Sequence, residues 1–189
     1  MEIWSKTILS VYRYLDNIAN AIDNLVRKKC INSSFYLSGR NADAYACTSK
    51  IIALTERKVQ LINLKVITEQ ALMQLTPTER KILTLFYIDG VSSKDIANLL
   101  EISIRSFFRK KAQAVENFDR KLKFNGYTDA KLNDMFRGEH WLNTIYLRAK
   151  NCEQEGTELP MFDKINENRF MKQVMHEFNS IGTYYYNYV

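Results

Sequence analysis

The stretch DIANLLEISIRSFFRKK, residues 95–111, sets cations and hydroxyls among apolar side chains. Arg105, Ser106, Arg109 and Lys110 fall at steps that put them on one side of a helix. A guanidinium there can bond both acceptors on a guanine edge, a contact that discriminates between bases by about 1–3 kcal/mol. Lys110 and Lys111 suit phosphates, which position a protein without specifying a sequence. The hydroxyl of Ser103 and the amides of a helix start also favour a phosphate. Arg120, Lys121 and Lys123 continue the basic strip, opposed only by Glu116 and Asp119. The chemistry expected is recognition of a polyanion without a covalent step. The competing reading is a solvated helix face.

Such side chains need a scaffold that holds one helix start clear of the body. VSSKDIANLL opens a short helix, with Ser92 or Ser93 as its cap and Asp95 in the first turn. EIS at 101–103 makes a very short turn, and Ser103 caps a further helix from Ile104 to about Phe124. Two helices joined this tightly form the outline of a helix-turn-helix. The crossing needs a small residue, supplied by Ala97, and an apolar wedge, supplied by Ile96, Leu100, Ile102 and Phe107. Upstream, LTPTERKIL places Thr76 as cap, Pro77 at the first helical position and Glu79 at the third, completing a capping box. Asp89-Gly90 ends that helix.

These residues resemble the C-terminal DNA-binding region of bacterial sigma factors, region four, and related phage and mobile-element regulators. The similar stretch runs from about Leu75 to Phe118. It shares a Leu-x-x-x-Glu-Arg opening, an aromatic-apolar helix end, Asp-Gly, and then Ile-Ala-x-x-Leu-x-Ile-Ser. The resemblance implies that the helix starting at Ser103 enters the major groove, with Arg105, Ser106, Arg109 and Lys110 touching bases or phosphates. Two positions depart from the family pattern. Glu101 stands where the turn usually holds Gly, and a left-handed backbone there costs roughly 1–2 kcal/mol. Lys111 stands where an apolar residue is common. Phe108 is expected to fill that space as core, or else to meet another subunit. Nothing in the chain resembles the sigma region that melts promoters.

The flanks are helical by pattern. Trp4, Ile8, Val11, Leu15, Ile18, Ile22 and Leu25 alternate spacings of four and three, a heptad seam over about Glu2–Lys29. CINSSFYLSGRN, 30–41, reads as a connection. A second long helix follows over about 42–75, with apolar residues round much of its circumference, so it is expected to be buried on more than one side. The two would pair antiparallel and leave surface for a third helix or another protomer. After FNGYTD come helices over 139–151 and 163–180, the latter with Phe170, Val174 and Phe178 four apart. The closing YYYNYV lacks a helix pattern.

Bulk properties agree. The 189 residues hold 6 Gly and 2 Pro, few for a chain that must turn often. The net charge of +6 suggests a polyanionic partner. Three scattered cysteines fit a reducing cytosol, and neither they nor His140 and His176 have metal-ligand spacing. No apolar run reaches spanning length and no signal-peptide pattern opens the chain, so a cytoplasmic location without membrane contact is expected. No Gly-rich phosphate loop or metal cluster points to an enzyme, and no cofactor is expected.

The expected architecture is all-α in three consecutive parts: a helical hairpin over 1–74, a helix-turn-helix over 75–124 and a helical appendage over 125–189. The expected function is sequence-specific binding of double-stranded DNA in transcription regulation, as a homodimer joined through the hairpin. The alternative is an adaptor that engages RNA polymerase or another regulator without reading DNA.

Overall fold

The computed structural model describes residues 3–36, 41–157 and 164–180. Their regular structure is helical, with no strand among the described residues. In chain order the helices are α1 (Ile3–Val11), α2 (Leu15–Tyr36), α3 (Asn41–Met73), α4 (Pro77–Leu83), α5 (Ser93–Leu99), α6 (Ile104–Phe124), α7 (Asp129–Met135), α8 (His140–Gln154) and α9 (Lys164–Ser180). A 3-10 turn, Tyr12–Tyr14, links α1 to α2, and a π-helical turn, Thr84–Ile88, extends α4.

The helix through Tyr36 corrects the connection expected at 30–41. Its two serines and Asn32 favour turns only weakly, and no Gly or Pro interrupts the chain before Gly39. Residues 37–40 and the closing YYYNYV lie outside the described residues. The α3 helix runs as expected, but its burial is one-sided. Leu54, Leu61, Leu64 and Ile67 are buried, while Ile52, Val59, Ile62 and Val66 stay 43–53 % exposed.

Contacts group the chain into two compact units: Met1–Arg13 with Leu64–Met161, and Tyr14–Asn63 with Phe162–Val189. This grouping differs from the three consecutive parts expected, because each unit joins segments far apart in sequence. The hairpin helices and the C-terminal helices are shared out between them.

In the second unit, α2 and α3 lie antiparallel. Lys58 bonds Asp23 at 2.7 Å, and the Cys47 thiol meets the carbonyl of Lys29 at 3.8 Å. The seam residues Leu15, Ile18 and Ile22 are buried there. The α9 helix supplies Phe170, Val174 and Phe178, all buried, at the four-residue spacing of its apolar face. Phe170 meets Tyr14 edge-on at 5.4 Å, and Arg57 lies over the Phe178 ring, 5.6 Å from its centre, and 3.8 Å from Glu177.

In the first unit, α1 packs against α8 and α6. Trp4, 1 % exposed, donates from Nε1 to Asn133 at 2.9 Å and meets the rings of Tyr146 at 4.8 Å and Phe136 at 6.0 Å, each tilted by 40°. Ser5 donates to Asp119 of α6 at 2.8 Å, and Asp119 also takes the Lys123 ammonium at 2.6 Å. A buried carboxylate is tolerable only with such partners. Glu139, also buried, accepts from Trp141 Nε1 at 2.8 Å.

Trp4 therefore ties α1 to both C-terminal helices of its unit. Trp4→Ala is expected to destabilise the protein by about 3–5 kcal/mol, read from the midpoint of urea unfolding. A change below about 1 kcal/mol would show that α1 does not brace this unit.

Candidate nucleic-acid interface

The α4 helix begins with the capping box expected of its sequence. The Thr76 hydroxyl accepts from the Glu79 amide at 3.4 Å, while the Glu79 carboxylate accepts from the Thr76 amide at 3.1 Å and its hydroxyl at 2.7 Å. The same carboxylate accepts from the Asn117 amide of α6. Burial alone would raise the Glu79 carboxyl's pKa. The bonds from Thr76 and Asn117, with Lys121 nearby, outweigh burial and hold it below its usual value of 4.5. Its neighbour Arg80 points the other way. It donates to the carbonyls of Leu72, Met73 and Leu75 at 2.9–3.3 Å, so it closes the C-terminal end of α3. One Glu-Arg pair thus fastens α4 to α6 on one side and to α3 on the other.

Beyond the π turn, Gly90 takes a left-handed φ of 70° and the chain enters α5. Ser92 is the cap, accepting from the Asp95 amide at 3.2 Å. The α5–α6 connection needs a left-handed residue, and Glu101 supplies it at φ 53° despite its side chain. The Ile102 amide bonds back to the Ala97 carbonyl at 3.0 Å, closing the turn. Ala97 is 3 % exposed, and Ile96 and Phe107 are fully buried. Leu100 and Ile102 are half-buried at the edge of this wedge.

At the start of α6, the Ser103 hydroxyl accepts from the Ser106 amide at 3.2 Å and donates to the Ser106 hydroxyl at 2.9 Å. Its expected phosphate role therefore shares the hydroxyl with the helix cap. Arg105 and Arg109 stand exposed, and Ser106 and Lys110 are half-buried beside them. Helical geometry puts the two arginines roughly 40° apart round the axis and about 6 Å apart along it. The structure thus brings together Ser103, Arg105, Ser106, Arg109 and Lys110 at one helix end.

Lys111 is not among them. It was expected to meet a phosphate, and the structure corrects that: it is 6 % exposed. Its ammonium lies 4.1 Å from the Phe86 ring centre, 5.1 Å from Phe108 and 5.9 Å from Phe107. The stem occupies the apolar seat at the wedge and the cation rests on aromatic faces. Phe108, expected to fill that seat, is instead 40 % exposed.

The downstream strip is largely spoken for. Arg120 is exposed but ion-paired with Glu116, and it lies about 22 Å along the helix from Arg105. Lys121 is half-buried in a groove with Glu79, Asn117 and Phe124. Lys123 pairs with Asp119 and, at 3.7 Å, with Asp129. Glu116–Arg120 and Asp119–Lys123 are four-residue pairs within α6, which the spacing alone allows; the places of Glu79 beside Lys121 and of Asp129 beside Lys123 depend on α4 and α7. The Glu79 tie to Asn117 and the Arg80 role do not follow from the sequence reading, although their place in the family-like opening was the signal that could have found them.

No group of His, Cys, Asp and Glu among the described residues could hold a metal ion, and no helix among them is long and apolar enough to cross a membrane. In the comparisons with known proteins, the family model for sigma-70, region 4 matches residues 65–117. That is well under half of the chain, and it begins in the last turns of α3, close to where the first unit resumes at Leu64. No curated protein and no solved structure matches the chain. Residues 65–117, from the last turns of α3 into α6, are thus a sigma region 4-like helix-turn-helix, a domain of a DNA-binding and non-enzymatic kind.

Lys111→Met preserves the stem's volume and removes the buried cation. It is expected to keep or raise stability by up to about 1 kcal/mol and to leave duplex affinity unchanged in a mobility-shift titration. A loss of affinity with intact folding would return Lys111 to the interface.

Proposed function

We propose that the chain is a sequence-specific transcription regulator that binds double-stranded DNA by setting the first turns of α6 into the major groove. One observation carries this reading: Arg105 and Arg109 stand exposed on one face at the start of α6, within a segment that matches sigma-70, region 4. In this reading Arg105 and Arg109 bond guanine edges. Lys110, Ser106 and Ser103, with the first amides of α6, hold the flanking phosphates. Arg120 and Lys121 add to the general positive field more than to the groove contact.

The proposal includes a homodimer formed through the α2–α3 hairpin. Ile52 and Val59 lie seven residues apart on α3, with Ile62 beside them, and all three are 44–53 % exposed. Seven-residue spacing is the register in which a second helix packs along the first. Such a dimer would present two recognition helices to two half-sites.

A second reading is an adaptor that engages RNA polymerase or another regulator without reading DNA. The half-exposed apolar residues Ile104 and Phe108, beside the arginines, favour it.

Selection of bound sequences from random duplexes by the full chain separates these readings. The expected product is a guanine-containing site, repeated in inverted orientation about one helical turn apart. Its affinity is expected to fall steeply with salt, in proportion to the phosphates neutralised. Arg105→Ala and Arg109→Ala are expected to relax the preference with helicity unchanged. Equal losses on selected and random DNA would count against the arginine assignment, and a single unrepeated site would count against the dimer. Weak binding without preference would favour the adaptor.

A further inference from the structure

The start of α6 carries an apolar flank that the wedge does not use. Ile104 is 46 % exposed and Phe108 40 % exposed. They are four residues apart, so they share one face of the helix. Each is the chain neighbour of an arginine, Ile104 of Arg105 and Phe108 of Arg109. Ile104 is the first residue of the helix after its Ser103 cap. That is the end from which a recognition helix reaches base edges.

Neither side chain fills the wedge, though Phe108 borders a pocket with Phe86, Tyr87 and Val115 on its inner side. Phe107 fills the wedge at 0 % exposure, and Lys111 occupies the apolar seat beside it. Phe108 is nonetheless held. Its ring meets Phe107 at 5.4 Å with the planes 65° apart, and the Lys111 ammonium sits 5.1 Å from its centre. Its remaining edge stays open to solvent, already positioned.

An apolar strip bordered by cations suits a surface with apolar points on its floor and anions on its walls. The major groove is such a surface, because thymine alone among the four bases presents a methyl group there. We propose that Ile104 and Phe108 read thymine 5-methyl groups next to the guanines met by Arg105 and Arg109; this rests on the DNA-binding reading above. The preferred site then combines guanine with thymine at fixed neighbouring positions. Specificity at those positions comes from desolvating a methyl group and not from a hydrogen bond.

The test changes the DNA and leaves the protein intact. In the duplex recovered by selection, each thymine is replaced in turn by deoxyuridine. The exchange keeps every hydrogen-bonding group of the base pair and removes only the methyl. The unmodified full chain is expected to lose about fourfold in affinity, the worth of one buried methyl, at one or two positions. Ile104→Ala is expected to abolish that sensitivity at one position and Phe108→Ala at the other. Both residues are surface-exposed, so circular dichroism is expected to show folding unchanged. Three outcomes overturn the inference. A chain that selects a sequence yet ignores every uracil overturns methyl reading alone and leaves the strip to a protein partner. Uracil sensitivity that persists in full in both alanine variants overturns the residue assignment. A chain that selects no sequence overturns the DNA reading, and methyl reading with it.

Discussion

The close crossing of α5 and α6 governs the rest of the first unit. Two helices joined by so short a turn can approach only where a side chain is small, and Ala97 is buried at that point. The approach forces the connection into a left-handed residue, which Glu101 adopts at φ 53° without the glycine that would ease it. It also leaves a wedge-shaped space that Ile96 and Phe107 fill completely. Given that crossing, the direction of α6 is set, and so is the outward aim of Arg105 and Arg109. A larger residue at 97 would tilt the helix and move both guanidinium groups together.

A helix aimed into solvent also needs support behind it. That support comes from segments remote in sequence. Asn117 is tied to Glu79 of α4, and Asp119 is tied to Ser5 of α1. Ala114, Val115, Phe118 and Leu122 form the buried back of α6. The polar ties are few, and each satisfies a group that burial would otherwise penalise. They fix position along and around the axis, which apolar packing alone leaves less defined. Arg80 extends the chain of support to α3 by closing that helix's last carbonyls. The Glu-Arg pair of the opening motif is therefore a two-way joint, which gives its residue types a physical reason.

Much of this was legible in the sequence, and for local reasons. The Thr76, Ser92 and Ser103 caps, the Asp89-Gly90 stop and the tight turn at Glu101 depend on residues within one helical turn. The four-residue spacing on α9 expresses burial along a single face, whereas the seam from Trp4 to Ile22, though buried, is not one helix face, because the 3-10 turn Tyr12–Tyr14 splits it between α1 and α2. What stayed hidden depends on partners. Lys111 reads as a surface charge until Phe86 is brought over its ammonium. Lys121 reads as part of a basic strip until α4 brings Glu79 to its groove, whereas the Glu116 and Asp119 partners of Arg120 and Lys123 lie four residues away on the same helix. The α3 helix reads as apolar all round, yet only one side finds a neighbour among the described residues. The division into units follows contacts between segments far apart in sequence, which no local pattern records. Residues 30–36 show the opposite failure: local turn formers there yielded to the continuing helix.

Hydrogen exchange of the full chain, alone and with a selected duplex, tests the central claim most directly. The first turn of α6 begins at Ser103 with amides that no preceding turn can bond, so these exchange readily in the free protein. The account expects new protection concentrated at 103–110 when duplex is added, with little change at the buried back of the same helix. Protection confined to α2 and α3, with the first turn of α6 exchanging as before, would contradict it.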